Sequence, residues 1–264
     1  MPYADSSGSR IYYEVHGAGP AILLVHGSGG HHAAWWQQVP ALAERFTVAA
    51  VDLRGFGNSD SGSAFDEQRE VDSLEFPGDI TAVLDAADLR DALLVGQSIG
   101  AVAALRAAVA SDRVSGVVLG HSLGGLNHPE LAALAAADRA EAVKLPVIDR
   151  LLTPEFRKRS PELTFLFTQM GTFNAATMQD LRNLSTGGPT VEEVEQAGLA
   201  VTFLAGERDA VIRPATVRRA HELLPGSRLE LVAGAPHSMY WEAPDLFNAA
   251  VARARDALTT KETA

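Results

Sequence analysis

Two kinds of hydrophobic pattern alternate along this chain. Short β-rich apolar runs, closed by Gly, Pro, Asp or Asn, give way to stretches whose apolar residues recur at helical spacing. Arg10–Val15 and Ala21–Val25 are runs of the first kind around the turn sequence HGAGP, and together they predict an early antiparallel hairpin. The segment 33–45 predicts a helix that Pro40 kinks or divides, and Val48–Val51 is a third strand, closed by the Gly-rich DLRGFGNSD. Asp79–Ala87 places Ile80, Val83, Leu84 and Ala87 on one helical face and leads into the compact strand Ala92–Val95. A helix over Ile99–Ala110 and a strand over Val114–Leu119 follow. Strands alternating with helices imply an α/β fold built on a mostly parallel sheet with both faces covered.

The pattern changes after Leu123. As far as about Ala197 the chain is helix-forming with few β-rich runs, and Pro129, Pro146, Pro154, Pro161 and Pro189 divide it into short helices. Strand–helix alternation returns with Leu199–Leu204, a helix after Pro214, the strand Leu229–Val232 and a last helix from Pro244 to about Leu258. The expected organisation is a core of residues 1–122 and 198–264, with 123–197 inserted as a helical cap. The tail TTKETA is expected to fray. No internal repeat or low-complexity tract is visible.

Composition narrows the function classes. With 47% hydrophobic and 21% charged residues, the 264-residue chain can fill a globular core. The formal net charge of −11 argues against a nucleic-acid partner, which selects for a basic face. The chain has no cysteine, which removes disulfides, thiolate metal sites and cysteine nucleophiles. The polar start lacks the pattern of a secretion signal, and no apolar stretch approaches the roughly 20 residues that span a bilayer. A soluble, cytoplasmic protein without a membrane partner is the expectation.

G-x-S-x-G occurs twice, around Ser98 (GQSIG) and around Ser122 (GHSLG). The motif carries chemistry only between a strand and a helix, where small residues permit a sharp turn and the helix N-terminus aims free N–H groups at developing negative charge. DALLV enters the first copy and AVAALRAAVA leaves it, whereas GLNHPEL after the second copy does not continue as a helix. Ser98 is therefore the candidate nucleophile, and Ser122 is expected to be a loop residue lining the pocket. A serine needs a base, and the base a partner that fixes its tautomer. Asp209, in AGERDAVI after a strand, fits the partner, with Glu207 as a rival carboxylate; Asp209 also suits a helix N-cap near Pro214. Of eight histidines, His237 sits in the last strand-to-helix loop, between Gly234, Pro236 and the final helix, and fits the base. His26-Gly27-Ser28-Gly29-Gly30 follows a strand, and the backbone N–H groups of Ser28 and Ile99 are candidates for an oxyanion hole; the alternative is a plain flexible turn. The loop lacks the Lys-Ser/Thr of a phosphate-binding P-loop.

The stretches LLVHGSGG, VAAVDLRGFGNSD, LLVGQSIGA, LAGERDAVI and AGAPHSMYWEAPDLF, in that order over about residues 20 to 250, resemble the α/β-hydrolase family, in its branch of capped esterases, lactonases and C–C-bond hydrolases. The resemblance implies an eight-stranded sheet, a cap inserted after the sixth strand, and Ser98, Asp209 and His237 meeting at one sheet edge. It implies that DLRGFGNSD is a structural turn. Haloalkane dehalogenases and epoxide hydrolases carry aspartate where this chain has Ser98, and the variant acid position after the sixth strand holds His121 and Ser122. Gln97 stands where many relatives carry histidine.

These residues together predict acyl transfer to water, needing no metal or organic cofactor, with a small to medium apolar ester or lactone as the small-molecule substrate. Gly29, Gln97, Ser122, Phe165, Met170 and Phe173 are candidate substrate-binding residues. The cluster LTFLFTQMGTF either roofs an apolar pocket or packs a helix onto its neighbours. C–C hydrolysis, perhydrolysis, cyanohydrin cleavage and slow-turnover ligand binding stay open, as does a homodimer.

Overall fold

Strands form where the apolar runs are, and their burial explains their order. The computed structural model describes residues 2–61 and 70–259; the tail expected to fray lies, from 260 onwards, outside them. Among the described residues eight strands make one sheet: β1 (Tyr3–Ser6), β2 (Ser9–His16), β3 (Ala21–Val25), β4 (Thr47–Val51), β5 (Ala92–Gln97), β6 (Val114–Gly120), β7 (Ala200–Gly206) and β8 (Arg228–Val232). Their spatial order is β1-β2-β4-β3-β5-β6-β7-β8, antiparallel at β1/β2 and β2/β4 and parallel from β4 to β8. Every residue of β3 and β5 is buried, as a strand with helices on both faces requires. Leu23 and Val25 of β3 face one core, with α2 (Phe76–Ala86) and α3 (Ile99–Val109); Ile22 and Leu24 face the other, with α1 (Gln38–Leu42) and the last helix, Pro244–Thr259.

The predicted hairpin of Arg10–Val15 with Ala21–Val25 does not form. β2 pairs with β1 and β4, while β3 lies one place further in, between β4 and β5. The HGAGP segment is not a tight turn but a crossing: side chains at Gly17 and Gly19 would meet the carbonyl oxygens of Ala43, Phe46 and Arg45 at 2.4 Å. An all-apolar strand belongs in the sheet interior, and this crossing takes it there. β2 finds its hairpin partner instead in β1, through Ser7 and Gly8, both at positive φ. The predicted helix 33–45 is split before Pro40, into a 3₁₀ turn, His32–Trp35, and α1.

Between β6 and β7 the chain is helical: α4 (Pro129–Ala142), α5 (Val147–Leu151), α6 (Pro154–Arg159), α7 (Pro161–Met170) and α8 (Val191–Gln196). Pro129, Pro154 and Pro161 each open a helix, where the missing N–H costs nothing. After β7 come α9 (Pro214–Leu223), α10 (Met239–Glu242) and α11 (Pro244–Thr259). The buried Arg106 of α3 clamps the stretch between α7 and α8, donating to the carbonyls of Asn183, Leu184 and Thr186 and to that of Ser73.

A second buried arginine fixes the turn after β4. Arg54 donates to both oxygens of Asp79 on α2, at 2.9 and 2.6 Å, with Asp79 fully buried. Removing one member of such a pair strands the other charge, at a cost of about 3–5 kcal/mol. Arg54→Met is expected to lower the urea-unfolding free energy by that amount, and a loss under 1 kcal/mol would show that water reaches Asp79.

Candidate active site

The site is assembled at the C-terminal ends of the parallel strands, where loops leave the sheet. At the end of β5 the chain turns at once into α3, and Ser98 takes the corner at φ +54°, ψ −115°. A non-glycine residue held there carries about 1–3 kcal/mol of strain and persists only where its surroundings over-determine it. Two features do so: Ser98 N–H donates to the Gly120 carbonyl at 2.8 Å, and Gly96 and Gly100 let backbone approach backbone, since a Cβ at either would lie 2.3 Å from Ala101 Cα or Val25 O. Ile99 and Gly100 open α3, so their N–H groups have no acceptor within the helix.

Asp209 and His237 come from the loops after β7 and β8. The His237 Nδ1 lies 3.0 and 2.9 Å from the two Asp209 oxygens, with both side chains buried. Asp209 Oδ1 also accepts from the N–H groups of Val211 and Ile212 at 2.7 and 3.0 Å. Burial pushes this carboxyl upward, but the attraction and hydrogen bond of His237 and the Val211 N–H outweigh it, so Asp209 lies below the ordinary carboxylate range. The two loops close on each other where a Cβ on Gly206 would sit 2.1 Å from the Ala235 carbonyl.

The loop after β3 passes beside Ser98 at Gly27, whose ideal Cβ would stand 3.5 Å from Ser98 Cβ. His26 braces it from below. Its Nε2 accepts from the Leu53 N–H at 3.1 Å, so the proton lies on Nδ1 and is donated to the Gly27 carbonyl at 2.8 Å. Burial lowers His26 to about 4, against the opposing charge of Asp52.

Ser28, Gly29, Gln97, Ser98 and His237 line a cavity of about 300 Å³. Val147, Ile148 and Leu151 of α5, with Phe167, Thr168 and Gly171, supply the facing wall, and Gly27, Ser238 and Tyr240 complete the lining. No lining residue is Asp, Glu, Lys or Arg.

A family model described as the alpha/beta hydrolase fold matches residues 20–244. The chain belongs to the α/β-hydrolase fold family. Among solved structures it is similar to an esterase from Thermogutta terrifontis (22% identity, TM-score 0.76, covering 97% of this chain and 98% of that one). It is equally similar to the enol-lactonase of Burkholderia xenovorans (22%, TM-score 0.75, 96% and 99%). A curated relative, the putative carbamate hydrolase RutD of Azorhizobium caulinodans, is 38% identical over 122 residues, which are 45% of this chain and 43% of that protein.

On this α/β-hydrolase frame the other expected pocket residues divide. Gly29 and Gln97 line the cavity. Ser122 does not: it is buried in a non-helical turn, its Oγ accepting from the Gly124 N–H at 3.2 Å, and the next helix begins only at Pro129. Phe165 and Phe173 are 67% and 71% exposed and lie outside the lining, and Met170 is buried in the core behind it. Helical geometry accounts for this: Leu163, Phe167 and Met170 share the inward face of α7, and Phe165 points away from it. The α5 wall carries no motif that marks it in the sequence, and nothing in AGAPHSMYWEAPDLF singles out Tyr240 as a pocket residue. Among the described residues His31, His32 and Asp52 could jointly approach a metal ion. Asp52, however, already accepts from the N–H groups of His32 and Asn58 and from His32 Nδ1, joining the loop after β3 to the turn after β4.

His26 and His121 are both buried and both lowered to about 4 from an ordinary 6.5. Between those values the unfolded chain binds protons that the folded chain refuses, so the stability these groups contribute is full above about 6.5 and falls as pH drops toward 4. Urea titrations at pH 7 and pH 5 should show this fall, and His26→Gln should make it shallower. An undiminished fall in that variant would assign the acid sensitivity to other groups.

Proposed function

We propose that the protein is a serine hydrolase acting on neutral carboxylic esters or lactones of small to medium size. The observation that carries this reading is the strained Ser98 at the start of α3, in one cavity with a histidine whose far nitrogen is held by a buried carboxylate. Asp209 keeps the His237 proton on Nδ1, leaving Nε2 free to accept the Ser98 proton as Oγ attacks the substrate carbonyl. The N–H groups of Ser28 and Ile99 receive the oxyanion; one such donor is worth about 3–4 kcal/mol in the transition state. Collapse expels the alcohol, protonated by His237, and leaves an acyl group on Ser98. Water activated by His237 then releases the acid.

The lining supports the substrate class. A carboxylate or ammonium placed in a cavity without a charged side chain would lose hydration and gain no partner. We assign the helical segment 123–197 the role of a cap, its apolar α5 and α7 faces holding the acyl or alcohol part. The names of the esterase, lactonase and carbamate hydrolase relatives agree with hydrolysis at an acyl carbon.

A fluorophosphonate probe followed by peptide mass spectrometry tests the reading. One adduct on Ser98 is expected, absent in Ser98→Ala and lost in His237→Ala. Hydrolysis of p-nitrophenyl butyrate should fall by about 10⁴-fold or more in Ser98→Ala and in Asp209→Asn. An adduct on Ser122, or none on any serine in an inert protein, would overturn it. Ester inertness with turnover of a diketone would move the reaction to C–C hydrolysis.

A further inference from the structure

Behind the candidate nucleophile lies a buried polar chain that the acyl-transfer reading leaves unused. Gln97, the residue before Ser98, donates from Nε2 to the main-chain carbonyl of His237 at 2.8 Å. Its Oε1 lies 3.2 Å from Nδ1 of His121, in the loop after β6. His121 is fully buried, and its ring meets the His237 ring edge-to-face at 5.6 Å.

The protons in this chain can be placed by elimination. A peptide carbonyl only accepts, so the amide nitrogen of Gln97 must face His237 and its oxygen must face His121. That oxygen also only accepts, so Nδ1 of His121 must carry a hydrogen. Nε2 is then a bare lone pair, and it is buried without a hydrogen-bond partner. The charge of Asp209 and the nearby Pro236 carbonyl favour a second ring proton. Burial and the neighbouring His237 oppose it, and His121 is held near 4. Asp209 and His237, on the loops after β7 and β8, are the titratable groups facing the ring, and Gln97 at the end of β5 is neutral.

We propose that Gln97 and His121 are positioning residues for the base: His121, as the Nδ1–H tautomer, fixes the Gln97 amide, and Gln97 fixes the peptide of His237. The His237 residue is then held at two points, its ring by Asp209 and its carbonyl by the residue that adjoins the nucleophile. Ser98 and His237, 139 positions apart in sequence, are thereby brought to a set separation by one side chain. The proposal rests on the acyl-transfer reading for its catalytic consequence, and on hydrogen-bond polarity alone for the tautomer.

Histidine side-chain ¹⁵N NMR of the intact protein tests the tautomer without any substrate. His121 is expected with a protonated Nδ1 and a bare Nε2 from pH 5.5 to 8. An Nε2–H tautomer would overturn the proposal whether or not the protein hydrolyses esters. Kinetics test the positioning role. Asparagine can present an amide N–H near the place of Nδ1, and leucine cannot. His121→Leu and Gln97→Met are expected to lower kcat for p-nitrophenyl butyrate by tenfold or more and to broaden the His237 ring resonances, with His121→Asn keeping kcat within about threefold. An active wild type whose His121→Leu retains kcat within twofold, or whose His121→Asn is impaired as severely as His121→Leu, would sink it. A wild type that takes no fluorophosphonate counts against the acyl-transfer reading instead, and the NMR result then decides the tautomer by itself.

Discussion

Helix α3 starts where it does because two glycines let main chain lie directly on main chain. At Gly96 and Gly100 a single added carbon would overlap Ala101 and the carbonyls that end β3. The close approach fixes three things together: the left-handed corner at Ser98, the direction of the free N–H groups at the start of α3, and the distance from that helix to the Gly27–Gly29 loop. Without it Ser98 would be an ordinary residue at a strand end. The strain at the corner is borne by the sheet, since Ser98 N–H is tied to β6 through the Gly120 carbonyl.

Around that corner, buried polarity is managed by pairing. Asp209 is satisfied by one imidazole and two N–H groups, Asp52 by one imidazole and two N–H groups, and Asp79 by one guanidinium. The imidazole and guanidinium bonds join separate loops or helices and the N–H bonds shape the carboxylate's own turn or tie in the next loop, so desolvated charge that would be costly alone serves to hold the turns in register. His26 and His121 do the same while neutral: each offers one proton to a carbonyl oxygen, one on the main chain and one on Gln97.

Much of this was legible in the sequence, for reasons that are local. β3 and β5 are unbroken apolar runs because helices cover both their faces, and the serine between β5 and α3 follows from glycine spacing and helix propensity. Asp209 and His237 could be nominated because each stands just after such a run. Other features depend on contacts that no local window contains. β1, Tyr-Ala-Asp-Ser, is exposed at alternate positions, as an edge strand is, and gives no apolar run. The hairpin expectation failed because Gly17 and Gly19 answer to the distant backbone of residues 43–46. Phe165 and Phe173 drew attention as aromatics, yet the face of α7 that turns inward is set by packing on Trp241 and the core. His121 stands in GHSLG, but nothing local gives its role, since its partners are Gln97 at the end of β5 and His237 in the loop after β8.

The cavity has two walls of different origin. One comes from the loops that follow β3, β5 and β8, and the other from α5 and α7, encoded in a single uninterrupted stretch of chain. On the proposed reading, reactivity and molecular recognition are written in separate passages of the gene. A recombination event exchanging only the stretch between β6 and β7 would then hand a new recognition surface to an unaltered reaction centre, and drift there could explore new substrates without first dismantling the chemistry.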